Sequence, residues 1–252
     1  MTTPARAVAL FISDLHLQES HPHTADAFFR FLDEQAMHAD QLYLLGDIFE
    51  YWAGDDDRGT PFHTRVIDAL RALSDGGVAL FWMAGNRDFL VGTGFAEAAG
   101  LTLLAEPHVV SVNGHRIALV HGDAECTGDT DYIKFRTMVR GSAWQNQFLG
   151  MPLAQRKAII AGLREGSREA HSTKSYEIMD VAPDAIEALF DATGADVLIH
   201  GHTHRPALHL HGDKRRYVLP DWELDAGEAR GGWIAVDERG AITRHALDGS
   251  LA

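Results

Sequence analysis

Five short polar blocks, each close behind a run of apolar, strand-forming residues, constrain this chain more than any other feature. The apolar runs are residues 8–12, 42–45, 78–83, 117–120 and 197–199, and the blocks are Ser13-Asp14-Leu15-His16, Gly46-Asp47-Ile48-Phe49-Glu50, Gly85-Asn86-Arg87-Asp88, His121-Gly122-Asp123 and Gly201-His202-Thr203-His204. In an α/β fold, side chains at the carboxyl ends of neighbouring strands meet in one crevice. The blocks supply carboxylates, imidazoles and a carboxamide but no thiolate, and such ligands suit Mn²⁺, Fe²⁺ or Zn²⁺. The sequence therefore predicts a metal site built from strand ends.

The spacing within the first two blocks predicts how the ions would be held. Asp14 and His16 are two residues apart, so strand alternation would turn both side chains toward one ion. Asp47 can bridge two cations with its two carboxylate oxygens, and Gly46 before it allows the backbone to approach closely. The pattern therefore favours a two-metal hydrolase that acts on phosphorus.

Length and composition bound the class of protein. A chain of 252 residues fits one α/β domain, with or without an inserted segment. The single cysteine, Cys126, excludes an internal disulfide and favours a reducing compartment. Residues 1–7 are too short and too polar for a signal peptide, and no stretch approaches the ~18 uninterrupted apolar residues of a membrane span. We therefore expect a cytoplasmic protein that lies at most on a membrane surface.

Charge is distributed unevenly along the chain. The net charge of −14 argues against nucleic-acid binding, which needs a basic surface. Residues 132–175 nevertheless contain eight Lys or Arg and only two acidic residues, so this stretch is +6 and leaves −20 for the remainder. The local excess of positive charge predicts an anionic partner.

The order of the predicted elements indicates an α/β fold. Helical periodicity covers residues 24–36 and 64–73, and Asn113-Gly114 between two apolar runs predicts a β-hairpin. Four short strand signals, separated by turns, follow the last polar block. Mixed β and α elements first and antiparallel strands later predict a four-layer α/β/β/α sandwich.

An inserted cap explains the long interval between the fourth and fifth blocks. Helical signals over residues 132–139, 152–163 and 167–179 interrupt the alternation of strands and helices there. We therefore predict a single domain, residues 1–252, with an inserted helical cap at residues 130–175.

The blocks occur in a fixed order, with Asp-x-His first, Gly-Asp-x-x-Glu second, Gly-Asn third and Gly-His-x-His last. In this order the chain resembles the calcineurin-like metallophosphoesterase family along almost its whole length. The resemblance implies one cation bound by Asp14, His16, Asp47 and His204 and a second bound by Asp47, Asn86, His121 and His202. The catalytic residues that it implies are Asp14, His16, Asp47, Asn86, Arg87 and His121. Glu50, Asp88 and Asp123 would be carboxylates that orient these ligands, or equally well residues of turns and caps.

Arg87 distinguishes this chain from many members of that family, which have histidine after the Gly-Asn pair. Arginine cannot release a proton at neutral pH, but its guanidinium binds phosphate oxygens well. An alkoxide leaving group needs a proton, whereas a phosphate monoester, whose second pKa is about 6, leaves without one. Arg87 therefore favours cleavage of a phosphoric anhydride.

Within the family, several runs resemble the bacterial UDP-2,3-diacylglucosamine pyrophosphohydrolases of lipid A synthesis. These runs are residues 13–17, 46–52, 85–89, 121–127, 174–181 and 200–206. The resemblance implies two Mn²⁺ ions and water attack on the α-phosphate of the acylated UDP-sugar, with release of UMP and the diacylated sugar 1-phosphate. The substrate contacts that it implies are Asn86, Arg87, Asp129, Tyr132, Ser167, His171, Lys174 and His202. His171 stands where the family commonly has asparagine, and an imidazole can replace only one of the two amide hydrogen bonds.

The cap sequence agrees with a lipid-like substrate. Twelve apolar residues between Tyr132 and Leu163 exceed what a two-helix cap can bury, so some are expected to line an acyl-chain groove. Its cations, among them Arg156, Lys157 and Arg164, are expected to hold the protein peripherally to the cytoplasmic face of the inner membrane. We predict neither a nucleic-acid partner nor an obligate protein partner.

Two other functions share parts of the pattern. A dinucleoside tetraphosphate hydrolase or protein phosphatase would use the same metal blocks, but would be expected to have histidine in place of Arg87 and no apolar, basic insert. A metal-free scaffold derived from this fold would lack ligands, whereas all seven are present here.

Overall fold

The structure, a computed structural model, describes residues 6–173 and 180–252, with the backbone alone for residues 165–173. The strands of these residues are β1 (Ala7–Ile12), β2 (Gln41–Leu45), β3 (Ala79–Met83), β4 (Leu101–Leu104), β5 (His108–Val112), β6 (His115–Leu119), β7 (Val197–His200), β8 (Ala207–His211), β9 (Lys214–Val218), β10 (Gly232–Asp237) and β11 (Ile242–Ala246). The α-helices are α1 (Pro22–Glu34), α2 (Pro61–Asp75), α3 (Thr93–Ala99), α4 (Thr130–Arg140), α5 (Ser142–Leu149), α6 (Leu153–Thr173) and α7 (Pro183–Thr193). Four α-helices, α4 to α7, lie between the strands that carry the fourth and fifth polar blocks.

Two mixed sheets place the ends of the five block-bearing strands together. The first sheet has the order β11-β10-β1-β2-β3-β4, in which β1 to β4 are parallel. The second has the order β5-β6-β7-β9-β8, in which β6, β7 and β9 are parallel. Because the carboxyl ends of parallel strands share one edge, each sheet collects its own blocks at one edge.

The central strands β1 and β2 are apolar on both faces because the first sheet is covered there on both sides. In β1, Phe11 faces the layer between the two sheets, where it stacks on Tyr43 with ring centroids 4.9 Å apart. The neighbouring side chain Leu10 packs in the outer core with α1, α2 and α3. Helix α7 covers the far face of the second sheet through Ile186 and Phe190. The predicted four-layer α/β/β/α sandwich is confirmed.

The predicted hairpin is also confirmed. Strands β5 and β6 pair with Val112 opposite His115. Both residues of the turn have positive φ, 42° at Asn113 and 87° at Gly114, as a type I′ turn requires. Asparagine and glycine tolerate this backbone at the least cost.

The helices between the fourth and fifth blocks differ from the prediction in number and length. The sequence predicted separate helices over 152–163 and 167–179, whereas α6 runs unbroken from Leu153 to Thr173; residues 174–179 lie outside the described part. A helix tolerates an isolated glycine such as Gly166 at a cost of only about 1 kcal/mol. Neither α5 nor α7 was predicted, so four helices lie between these blocks in the described residues, where three helical segments were predicted. That residues 130–175 form an inserted cap on a single domain stays a prediction.

None of the helices in the described residues is both long enough and apolar enough to cross a bilayer.

Candidate metal centre

Three ligand atoms from the first and last blocks converge at the carboxyl ends of β1 and β7. The Nε2 atoms of His16 and His204 lie 3.3 Å apart, and Nε2 of His204 lies 3.4 Å from Oδ1 of Asp14. All three atoms lie within 4.8 Å of one another. Two imidazoles and a carboxylate this close together form a set of ligands that a divalent cation can bind.

A second group forms beside the first from the other three blocks and His202. Oδ1 of Asn86 lies 3.0 Å from Nε2 of His121 and 2.8 Å from Nδ1 of His202. Nε2 of His121 lies 3.7 Å from Oδ1 of Asp47. The structure thus places Asp14, His16 and His204 in one group and Asp47, Asn86, His121 and His202 in a second, and that Asp47 is shared by both groups stays a prediction.

The backbone at these ligands is left-handed, which the sequence analysis did not predict. Six non-glycine residues have positive φ in the described part of the chain, and five of them are predicted ligands: Asp14, His16, Asp47, His202 and His204. The prediction that strand alternation orients Asp14 and His16 is therefore wrong, because β1 ends at Ile12 and both residues lie in the following loop. Strained backbone of this kind concentrates at functional sites.

Glycines allow the loops to approach closely. A Cβ atom on Gly201 would lie 2.2 Å from Oδ2 of Asp14, and one on Gly85 would lie 2.2 Å from Oδ1 of Asp47. Gly46 has φ of 86°, and a Cβ there would lie 2.6 Å from Nδ1 of His121. The close backbone approach that was predicted for Gly46 is confirmed. Gly85 allows the same close approach to the carboxylate of Asp47, and Gly201 allows it to that of Asp14.

The residues present fit a divalent cation. Oδ2 of Asp14 accepts hydrogen bonds from Ser13 Oγ and from the backbone N–H of His202, at 2.5 and 2.9 Å. Its Oδ1 is buried and has no hydrogen-bond partner among the described residues, although it faces His204. A buried carboxylate oxygen with no donor is costly unless a cation occupies its lone pairs.

Electrostatics at the site support the same conclusion. Burial alone would raise the pKa of Asp14, but the adjacent imidazole of His204 and the charges of His121 and His16 hold the pKa well below its ordinary value. Burial would lower the pKa of His121, yet the charges of Asp47, Asp14, Asp123 and Glu106 raise it to about 9. In the metal-free protein, His121 therefore carries the positive charge that a bound cation would supply.

The three additional carboxylates have different roles. Glu50 faces a ligand as predicted, with Oε2 3.0 Å from Nδ1 of His16. Asp88 instead accepts backbone N–H bonds from Gly85 and Ile48, both at 2.8 Å, and so joins the loops that carry Asn86 and Asp47. These contacts fit the prediction that Asp88 is a turn residue better than the prediction that it orients a metal ligand.

Asp123 joins the metal centre to helix α4. Its Oδ2 accepts hydrogen bonds from the Tyr132 hydroxyl and from Nε of Arg136, the latter at 2.8 Å. Arg136 also binds Glu106, whose other oxygen accepts the backbone N–H of His121 at 2.6 Å. Helix α4 is therefore tied to the loop that presents His121.

A cavity of about 750 Å³ opens beside both ligand groups. Its polar wall includes His16, Asp47, Asn86, Arg87 and His202, and its apolar wall includes Phe89, Phe135, Trp144, Phe148, Ile160 and Leu163. Of the predicted substrate contacts, Asp129 and Tyr132 also line this cavity. Ser167 and His171 lie on α6 where the side chains are not described, and Lys174 lies outside the described residues.

Several cap cations do not face solvent, contrary to the prediction from their number. Arg156 has only 2% of its side chain exposed and pairs with Asp56, and Lys157 Nζ lies 2.6 Å from Asp57. Arg164 pairs with Glu50. These three residues therefore hold α6 to the core; Arg156 is too buried for the predicted membrane contact, whereas a membrane contact by Lys157 and Arg164 stays a prediction. A count along the sequence cannot detect pairing with acids far away in the chain.

Sequence reasoning missed one carboxylate at the centre. Asp221 is buried, and its Oδ2 lies 3.4 Å from Nδ1 of His204. Asp221 follows β9, another parallel strand of the second sheet, and this position after a strand could have identified it from the sequence.

Glu125 is buried next to this centre, and the effect of its charge can be tested by the pH dependence of the free energy of unfolding. Burial and the charges of Glu106 and Asp123 raise the pKa of Glu125 from 4.5 to about 7. The folded state thus prefers the protonated form, so its stability falls as pH rises from about 4.5 to about 7. We expect Glu125→Gln to stabilise the protein by about 1–3 kcal/mol at pH 8, and by nearly nothing near pH 4.5. Urea unfolding at both pH values measures this; an equal difference at both would contradict it.

Comparisons with known proteins agree with this geometry. The sequence profile described as calcineurin-like phosphoesterase matches residues 8–206. A protein of Aromatoleum aromaticum named UDP-2,3-diacylglucosamine hydrolase is 52% identical over 222 residues, which cover 86% of this chain and 90% of that protein. One of the same name from Pseudomonas putida is 48% identical over 238 residues, with 92% and 95% covered.

A solved structure shares the fold. Vacuolar Protein Sorting 29 from Cryptosporidium parvum aligns with a TM-score of 0.50 at 13% identity, over 99% of this chain and 96% of that one. That likeness concerns the fold alone. Since the family profile covers well over half of the residues and the ligand groups are in place, this chain belongs to the calcineurin-like phosphoesterase family and is a metal-dependent hydrolase.

Proposed function

We propose that this chain hydrolyses the pyrophosphate bond of UDP-2,3-diacylglucosamine to UMP and 2,3-diacylglucosamine 1-phosphate in lipid A synthesis. The observation that carries the proposal is the cavity of about 750 Å³, because its lining contains metal ligands and Arg87 together with a set of apolar side chains. A substrate that fits both parts of this lining has a phosphate group and a lipid part. The names of the relatives from A. aromaticum and P. putida support the same substrate.

We propose that two Mn²⁺ ions are bound, one by Asp14, His16, Asp47 and His204 and one by Asp47, Asn86, His121 and His202. Two separate groups of ligand atoms support this number. Burial lowers the pKa of His16 and of His202, and the negative charge of Asp47 opposes the effect of burial at His16 and His204 in one group and at His121 and His202 in the other, as expected of a residue that lies near both groups. When bound, such a pair of cations lowers the pKa of a coordinated water and offsets phosphate charge.

Arg87 is proposed to bind the oxygens of the phosphate that is attacked. Its backbone N–H donates to Oδ1 of Asp47 at 2.7 Å, which fixes the residue against the centre. Its guanidinium lines the cavity, and Nη1 lies 3.5 Å from Oε1 of Glu50. A guanidinium there stabilises charge that develops on phosphorus without supplying a proton. The leaving sugar phosphate needs no proton, because its second pKa is about 6.

The apolar wall is proposed to hold the acyl chains. Trp144 stacks on Phe148 with ring centroids 4.6 Å apart, and Phe89 lies beside Trp144. Ile160 and Leu163 of α6 complete this wall. Acyl chains are expected to fill this aromatic and aliphatic surface more completely than nucleobases or phosphopeptides, so the cavity favours the acylated substrate over both alternatives. Asp129, Tyr132, Ser167, His171, Lys174 and His202 remain proposed substrate contacts.

Oxygen labelling tests the reaction directly. The protein is incubated with UDP-2,3-diacylglucosamine and Mn²⁺ in water enriched in ¹⁸O, and the products are examined by ³¹P NMR. Attack on the α-phosphate places the label in UMP alone. Label in the sugar 1-phosphate, or an unchanged substrate, would contradict the proposal.

The protein is further proposed to be cytoplasmic and to bind the inner membrane peripherally through the rim of the cap. Met138 on α4 and Leu149 on α5 have 52% and 41% of their surface exposed, which supports an apolar contact. Burial of each side chain contributes about 1.5–3 kcal/mol.

The membrane contact is tested by flotation with liposomes that contain anionic lipids. Replacing both Met138 and Leu149 by serine is expected to weaken binding by about tenfold or more, because two apolar contacts are lost. Met37→Ser is the matched control, since Met37 is equally exposed but lies between α1 and β2. Equal binding by the double variant and the control would contradict the contact.

A further inference from the structure

The imidazole of His204 has a carboxylate partner on the side of the ring that faces away from the other ligands. Its Nε2 atom lies 3.4 Å from Asp14 Oδ1, and its Nδ1 atom lies 3.4 Å from Asp221 Oδ2. We infer that Asp221 is a positioning residue, which holds the ring so that Nδ1 keeps its proton and Nε2 faces the cation. This inference rests on the proposed metal centre.

The same arrangement recurs at two other ligand histidines. Nδ1 of His16 lies 3.0 Å from Glu50 Oε2, and Nδ1 of His121 lies 2.8 Å from the backbone carbonyl of Leu45. Histidines that bind metals almost always donate their other ring N–H to a carboxylate or carbonyl group. Asp221 thus places a carboxylate oxygen near Nδ1 of His204, as Glu50 does for His16 without a hydrogen bond in this geometry, and as the Leu45 carbonyl does for His121 with one.

Asp221 is itself held in place from two directions. Arg230 donates to its Oδ2 through Nε and Nη2, at 2.8 and 2.6 Å. The next residue, Trp222, donates its backbone N–H to the carbonyl of Asp14 at 2.9 Å. The carboxylate therefore keeps its position if the ring of His204 turns.

A fixed carboxylate has two effects on the histidine. It selects the tautomer with the proton on Nδ1, and its negative charge makes Nε2 a stronger ligand. Without this charge, the ring is free to adopt the other tautomer, which places a proton where the cation would bind. Loss of such a partner typically weakens metal binding about 10–100-fold.

The first test measures Mn²⁺ affinity by calorimetry on metal-stripped, full-length protein. Asp221→Asn preserves the shape of the side chain and is expected to weaken Mn²⁺ binding about 10–100-fold. Glu228→Gln is the matched control, because it removes an exposed charge from the same loop. Its affinity should equal that of the unmodified chain.

The second test observes the ring itself. In protein loaded with diamagnetic Zn²⁺, the Nδ1–H proton of His204 should give a downfield NMR signal that is protected from exchange, and Asp221→Asn should shift or remove this signal. Unchanged Mn²⁺ affinity in Asp221→Asn would overturn the inference while leaving the metal centre intact. Weaker binding with an unchanged signal would overturn it as well, since the residue would then act without positioning the ring. If the unmodified chain bound no Mn²⁺, the metal centre and this inference would both fall.

Discussion

Replacing Asp47 by alanine is expected to lower the rate of UMP release from UDP-2,3-diacylglucosamine by about 10³-fold or more. Asp47 is the one proposed ligand of both cations, and it contacts the other parts of the centre as well. Its Oδ1 lies 3.7 Å from Nε2 of His121 and accepts the backbone N–H of Arg87 at 2.7 Å. Metal ions contribute several kcal/mol to such reactions, and each 1.36 kcal/mol corresponds to a tenfold change in rate.

The matched control for Asp47 is Asp33→Ala, which removes an exposed carboxylate from α1. Its rate and metal content should equal those of the unmodified chain. Melting temperatures of both variants in metal-stripped form show whether folding is preserved. A well-folded Asp47→Ala protein that keeps more than about a tenth of the rate would contradict the proposed bridge.

Replacing Arg87 by alanine is expected to lower kcat by about 10²-fold while metal affinity stays the same. The guanidinium lines the cavity and is not a proposed metal ligand, so its loss removes charge stabilisation without emptying the site. Arg87→Lys should recover only part of this effect, because an ammonium group cannot bind two phosphate oxygens in the planar geometry of arginine. Single-turnover measurements with saturating substrate separate the chemical step from binding.

Arg30→Ala is the control for Arg87, because Arg30 is an exposed arginine on α1, away from the cavity. Measuring the rate of Arg87→Ala at lower pH provides a second comparison. For Arg87→Ala, the rate should not be rescued by lowering pH, since no proton transfer is assigned to this position. Near-normal kcat in Arg87→Ala, or recovery of its rate in acid, would contradict the role given to Arg87.

The sequence predicted the positions of the ligands well because the relevant physics is local. A run such as residues 42–45 is apolar on both faces, which indicates a strand covered on both sides, and the polar block after it must then lie at a sheet edge. The parallel pairing of β1, β2 and β3 brings Asp14, Asp47 and Asn86 to one edge. The four-layer arrangement followed from the same patterns.

What the sequence could not provide were features that depend on pairs of distant residues. The ion pairs of Arg156 with Asp56 and of Lys157 with Asp57 join residues about one hundred positions apart, so a local count of charges suggested a free basic surface. The contact between His204 and Asp221 likewise depends on the fold of the loop after β9. The left-handed backbone at Asp14 and Asp47 is a tertiary constraint that overrides local preference.

Titration of metal-stripped protein with Mn²⁺, followed by UMP release from UDP-2,3-diacylglucosamine, tests the central claim most directly. The claim is that seven side chains from five strand ends bind two cations around Asp47 and so make hydrolysis possible. We predict no UMP before Mn²⁺ is added and a maximal rate at two equivalents per chain. A rate that survives removal of metal, a maximum at one equivalent, or no UMP at any Mn²⁺ concentration would contradict the claim.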